Sequence, residues 1–386
     1  MKEIYFDNSA TTRVLPEVTA AMVRVMEQEY GNPSSLHGKG AAAARLLQEA
    51  RLAIASLIGA SKEEIFFTSG GTEANNWAVI GAARRRKSRG KHIITTQIEH
   101  PSVLAAFQYL EEEGFRVTYL PVNWEGLVDP ADLRQALTAD TGLVSVMLVN
   151  NEVGTIQPVE EIGSLVKELA PQALFHVDAV QAAGRIPIPL EQAKVDLLTL
   201  SGHKLHGPKG IGALYIRRGV AMDPLHVGGE QENKLRAGTE NMPGIVGFGS
   251  AAQAMAKGAQ QINDMFALGR QLRERLLAIK GCHINGSMSR AVPYIINVWF
   301  EGVDRGEVLV HMLEERGLYV STGSACHSRR DDPSHVLKAM GKKKEALYGA
   351  IRLSLSPHNT AAEVEEAGTI IEETVKEYRD FKGGFS

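Results

Sequence analysis

Cysteine is scarce in this chain, with only Cys282 and Cys326 among 386 residues. The two stand in no C-x-x-C pair, so neither a disulfide scaffold nor a zinc ribbon is indicated, no metal is expected, and a reducing cytoplasm is the expected setting. Long apolar runs are missing too. The longest, around residues 144–149, is far too short to span a bilayer, and residues 1–7 lack the apolar stretch of a secretion signal. Nor is there an excess of charge of one sign. A formal net charge of -3 gives no global reason to expect nucleic acid or an anionic membrane as a partner. What remains, 44% hydrophobic and 23% charged residues, is the composition of an ordinary soluble globular protein. The length allows a substantial core and two or three domains.

Short β-like runs at 65–68, 92–96, 116–120, 143–148 and 174–177 alternate with amphipathic helical stretches such as 103–113 and 159–169. Strands that are apolar on both faces and separated by helices predict an α/β fold, a mostly parallel sheet covered on both sides. From Pro243 the pattern becomes helical to about Ile279. Strand candidates follow at 294–300 and 350–355, with a helix at 304–315 between them. A last helix opens at Asn359 or Thr360, where Thr360 and Glu363 match a capping box. This predicts a large domain over 15–256 and a smaller α+β domain made of 1–14 and 257–386.

Several motif-like strings carry no site. Gly202 to Gly207 has the spacing that opens a P-loop, but Pro208, Lys209 and Gly210 follow in place of Lys and Ser or Thr. Gly247-Phe248-Gly249-Ser250-Ala251-Ala252 fits G-x-G-x-x-A within a helical pattern, which predicts close helix packing and no dinucleotide site. The basic run 84–91 falls at the end of a helix begun near Thr72, where cations favour the helix dipole and solvent.

The chemistry collects at strand ends. Lys204 lies on a polar connection, 201–210, between the apolar runs 195–200 and 211–216, where a partly desolvated amine suits Schiff-base chemistry. Ser69-Gly70-Gly71-Thr72 joins a strand to a helix start, and its backbone N–H groups with the Thr72 hydroxyl suit a phosphate. Asp178 ends another strand and can pair with a protonated ring nitrogen; His100 can stack on a planar ring or move a proton. Asn150 and Asn151 follow the strand 143–148. A phosphate turn, an aromatic base, an amide, an acid and a lysine on one sheet are what pyridoxal phosphate needs.

The sequence resembles the cysteine desulfurases, in the class V branch of pyridoxal-phosphate transaminase-like enzymes. The resemblance is carried by residues 5–12, 31–35, 68–73, 176–181, 201–210, 235–241 and 323–326 in that order. It implies a fold type I large domain with a smaller α+β domain, and a homodimer. It further implies that Lys204 holds the cofactor and shuttles protons, that Asp178 pairs with the ring nitrogen, that Gln181 bonds the ring hydroxyl and that His100 stacks on the ring. Gly71, Thr72, Ser201 and His203 would surround the phosphate, and Thr239 would reach the neighbouring subunit's phosphate. Arg352, assisted by Asn151, would clamp the substrate carboxylate. Cys326 would take sulfur from L-cysteine as a persulfide, leaving L-alanine, for an acceptor such as an iron-sulfur scaffold or a tRNA-thiolating enzyme. Cys282, by contrast, reads as structural. The longer segment between Cys326 and Arg352 resembles the branch with an extended cysteine loop, although Thr322, His327 and Gly202 depart from its usual residues. Rival readings are a selenocysteine lyase or cysteine-sulfinate desulfinase on the same scaffold, or a non-catalytic assembly scaffold, against which Lys204 and Cys326 both count.

Overall fold

Short runs of Val, Ile, Leu and Phe bounded by glycine and polar residues favour strands over helices, because β-branched and aromatic side chains pack well on a pleated, buried surface. The computed structural model, which describes residues 3–88, 90–323 and 333–383, places these runs where the sequence predicts them. After a short strand β1 (Ile4–Tyr5) come β2 (Ile65–Thr68), β3 (His92–Thr96), β4 (Arg116–Leu120), β5 (Thr141–Met147), β6 (Leu174–Asp178), β7 (Leu197–Ser201) and β8 (Gly212–Ile216). These last seven form one sheet in the order β2-β8-β7-β6-β5-β3-β4. Only β8 runs against its neighbours; the pairs from β7 to β4 are parallel.

Alternate residues supply two cores. Ile65, Phe67, Val144, Val146, Phe175, Val177, Leu198 and Leu200 face one side, and Phe66, Leu143, Leu174, Leu197 and Leu214 the other. On the second side lie the helix Pro101–Glu112 and the helical run from Gly71 to Arg86, which a π-helical stretch at Trp77–Gly81 interrupts. The cations at the end of that run are partnered: Arg84 with Glu113 and the Tyr109 hydroxyl, Arg86 with the Gln172 carbonyl, and Arg85 with Asp223 at 3.8 Å. Arg84 and Arg85 still keep 45% and 55% of their side-chain surface exposed, as a solvated helix end requires.

The helix Met242–Lys257 packs through small residues. A Cβ on Gly249 would lie 2.6 Å from Ala50 Cα on the helix Gly38–Ile58, and one on Gly247 would lie 2.8 Å from Met22 Cγ. The predicted continuous helix to Ile279 instead breaks at Gly258, and a second helix, Ala259–Leu277, begins there. Beyond it, β9 (Cys282–Asn285), β10 (Ile295–Phe300) and β12 (Ile351–Ser354) form an antiparallel sheet, while β11 (Leu318–Tyr319) pairs in parallel with β1. Asp7 bridges Ser354, so the first residues of the chain join its last third. At the final helix the capping box is present: the Thr360 N–H donates to Glu363 Oε2 at 2.9 Å and the Glu363 N–H to Thr360 Oγ1 at 3.2 Å. No helix among the described residues is long and apolar enough to cross a membrane.

Candidate active site

In sheets of this kind functional groups gather beyond the carboxyl ends of the parallel strands. Lys204 closes a 3-10 turn, Gly202–Lys204, directly after β7. The turn is tight enough to require glycine: a Cβ on Gly202 would sit 2.9 Å from Ile211 Cγ2, and one on Gly207 would sit 2.8 Å from the Gly202 carbonyl oxygen. This accounts for Gly202, one of the departures noted above. The Lys204 amine donates to the Ala10 carbonyl at 2.8 Å and also to that of Ser9. Its own carbonyl accepts from the buried guanidinium of Arg185, which lies over the Tyr294 ring. The amine is thus aimed from both sides.

Residues 7–12 form a strap that ties the site together. Ser9 O also accepts from Gln181 Nε2 at 3.0 Å, Thr12 Oγ1 donates to His203 O at 2.9 Å, and Thr11 Oγ1 lies 3.2 Å from His203 Nδ1. Burial, followed by the charges of Lys204 and Lys209 and by His100, pushes the His203 imidazole down to about 4. It is neutral at physiological pH and can offer a hydrogen bond without adding charge.

Asp178 ends β6 on the face covered by the two helices. Its Oδ2 accepts from Asn75 Nδ2 at 2.8 Å and its Oδ1 from the Val180 N–H at 3.0 Å, so both carboxylate oxygens are held in place. His100 caps the helix Pro101–Glu112, its Nδ1 accepting from the Ser102 N–H at 3.2 Å. Beside them, a Cβ on Gly71 would fall 3.4 Å from Ser201 Cβ. Ser201 Oγ and Gln181 Oε1 are buried with no hydrogen-bond partner among the described residues. Orphaned buried oxygens are costly, and their clustering at a strand edge marks a place for a polar ligand.

Among the described residues, the remaining predicted ones are either engaged by other groups or exposed. Arg352 is 2% exposed, and its guanidinium is already engaged: Nη2 donates to Asp7 Oδ1 at 2.8 Å, and Nη1 to the carbonyls of Gly323 at 2.6 Å and Asn151 at 3.0 Å. Asn151 therefore meets Arg352 through its main chain, and of the guanidinium nitrogens Nε alone has no partner among the described residues. Thr72 and Thr239 are exposed. The stretch leading to Thr239 leaves a 3-10 turn, Gln231–Lys234, in which Glu232, Asn233 and Lys234 have positive φ. A buried pair between Arg51 and Glu232, 2.7 Å apart, holds that strained turn. Cys326 lies outside the described residues.

Sequence reasoning passed over Asp7, Ser9, Asn75, Ser102 and Arg185, and also Glu99, which is wholly buried beside His100. Glu99 Oε1 accepts from Thr96 Oγ1 at 2.7 Å and from the Met147 N–H at 3.0 Å, while Oε2 has no partner among the described residues. Burial pushes its carboxyl up to about 8. Below about pH 4.5 Glu99 is protonated in both folded and unfolded chains and contributes no pH dependence. Between there and about 8 only the unfolded chain ionises, so stability falls as pH rises and levels off above that window. Glu99→Gln should remove this slope, raising stability at pH 8 by on the order of a few kcal/mol without changing it at pH 4. Denaturant titrations of both proteins at the two pH values check this.

The fold and the strand-end constellation define an aminotransferase class-V protein, and residues 4–366 match that family. The chain is 48% identical over 380 residues to the cysteine desulfurase IscS of Methanosarcina thermophila, an alignment covering 98% of this chain and 93% of that protein. It is 44% identical over 383 residues to the cysteine desulfurase IscS of Clostridium botulinum, covering 98% and 96%. Among solved structures, a NifS-like protein superposes with a TM-score of 0.91 at 42% identity, covering 97% of this chain and all (100%) of that one. SspA in complex with cysteine superposes with a TM-score of 0.81 at 36% identity, covering 93% and 100%. Within its class the chain belongs to the cysteine desulfurase family.

Proposed function

We propose that the chain works with pyridoxal phosphate to remove sulfur from L-cysteine, leaving L-alanine and a persulfide on Cys326. The observation that supports the cofactor reading is that the Lys204 amine, the doubly hydrogen-bonded Asp178 carboxylate and the orphaned oxygens of Ser201 and Gln181 all lie at or just beyond the carboxyl ends of the adjacent strands β6 and β7. When bound, the cofactor supplies an electron-poor ring that stabilises negative charge at the substrate α-carbon. Lys204 is the amine that tethers it. Asp178 would hold the ring nitrogen, Gln181 would offer Oε1 to the ring hydroxyl, and His100 would stack on the ring. Ser201, neutral His203 and the helix start at Gly71 and Thr72 bind the phosphate. That hydroxyl and the backbone donors at a helix N-terminus suit an anion.

Lys204 moves the proton at the substrate α-carbon. The Cys326 thiolate would form the S–S bond as the substrate C–S bond breaks, the β-carbon would take the proton given up by the substrate thiol, and the proton returned by Lys204 to the α-carbon would complete alanine. The persulfide sulfur passes to an acceptor protein, an iron-sulfur scaffold or a tRNA-thiolating enzyme. The exposure of Thr239 supports a homodimer in which it reaches the other subunit's phosphate. The experiment is a paired measurement of alanine and transferable sulfur from L-cysteine and of alanine from selenocysteine. Equimolar alanine and sulfur from cysteine are expected; turnover of selenocysteine alone would favour a lyase.

Arg352 binds the substrate carboxylate, and Asp7 offsets its charge while the site waits. Arg352→Lys removes the planar fork and leaves Asp7 with a point charge. It should lower kcat/KM for cysteine by on the order of 10- to 100-fold, chiefly through KM, as steady-state alanine formation would register.

A further inference from the structure

Between His100 and Asp178 lies a run of buried groups to which no role has been given. Asn75 is 1% exposed and Ser102 is 7% exposed. Asn75 Nδ2 reaches both Asp178 Oδ2, at 2.8 Å, and Ser102 Oγ, at 3.0 Å. Ser102 Oγ in turn lies 2.8 Å from His100 Nδ1. Hydrogen counting fixes the direction of every bond. An ionised carboxylate only accepts, so Asn75 must present its amide nitrogen to Asp178. The second amide hydrogen then goes to Ser102 Oγ. That hydroxyl, already accepting, turns its own hydrogen to His100 Nδ1, which also receives the Ser102 N–H at 3.2 Å. Nδ1 is therefore an acceptor, and the imidazole proton resides on Nε2.

We propose that Asn75 and Ser102 are positioning residues, a one-way hydrogen-bonded bridge through which ionised Asp178 sets the orientation and tautomer of His100. The assignment rests on the cofactor reading only for its purpose. In that reading His100 and Asp178 address the face and the edge of one ring, and the bridge makes them a single unit. A proton arriving at His100 Nδ1 would face the Ser102 N–H and would force the Ser102 hydroxyl to turn its own hydrogen elsewhere. The bridge thereby holds Nδ1 as the acceptor.

The test follows ring-15N histidine and carboxylate-13C aspartate signals in the holoenzyme, a readout independent of turnover and therefore of whether the desulfurase reading holds. In the wild type, His100 should show a bonded, unprotonated Nδ1 and a protonated Nε2. Asn75→Leu does not alter any group touching His100, yet it should move the His100 Nδ1 signal by freeing the Ser102 hydroxyl. Ser102→Ala should move the Asp178 carboxylate signal from the other end, and Ser102→Thr, which keeps a hydroxyl, should restore it. If Asn75→Leu does not fold, the two Ser102 variants decide the matter alone. A protonated Nδ1 in the wild type, or variants whose distant signals stay where they were, would overturn the proposal.

Discussion

Lys204→Ala is expected to eliminate the visible absorbance of lysine-linked cofactor and to lower alanine formation by at least roughly 10³-fold. The loss is large because one side chain serves twice, as the amine that tethers the cofactor and as the group that moves the α-proton; the second role alone is commonly worth about 10² to 10⁴. Two described neighbours of the turn are poor substitutes. His203 is pushed down to about 4 and its Nδ1 faces Thr11 Oγ1, and Arg185, whose guanidinium bonds the Lys204 carbonyl, is a poor proton carrier. The fold should survive, because Gly202, Gly207 and the Thr12 bonds to His203 and His206 shape the turn through backbone and threonine groups. Absorbance spectra and alanine assays on the purified variant measure both effects.

Cys326→Ser should separate cofactor chemistry from sulfur transfer. The variant is expected to keep the cofactor absorbance and the spectral change on adding L-cysteine, because the groups that tether cofactor and hold substrate lie elsewhere. Persulfide should be absent and desulfurase turnover should fall by at least about 100-fold, since a serine hydroxyl is a far weaker nucleophile than a thiolate. Undiminished turnover of cysteine would remove Cys326 from the reaction. Cys282 is a poor substitute, because burial pushes its thiol up to about 12.

Much of this arrangement was legible in the residues themselves. Short apolar runs gave the central strands because their period and length admit little else, and glycine, serine and aspartate at the strand ends gave the turns. The strap at residues 7–12 could be matched as a motif but not assigned a task, since it acts mainly through the carbonyls of Ser9 and Ala10, and every residue has a carbonyl. The bridge through Asn75 and Ser102 was hidden for a related reason. Its members sit on two helices that meet only once the sheet is assembled, 103 residues from Asp178 in the case of Asn75. The occupied state of Arg352 was likewise out of reach, because Asp7 stands 345 positions away in the chain. The strand β9 is short, carries His283 among its four residues and is partly exposed, so its apolar signal is weak.

The site depends above all on which lysine the cofactor joins. Borohydride reduction of the wild-type holoenzyme followed by peptide mapping answers that directly. The account predicts a single modified residue, Lys204; modification of Lys209 or any other lysine, with Lys204 left free, would contradict it.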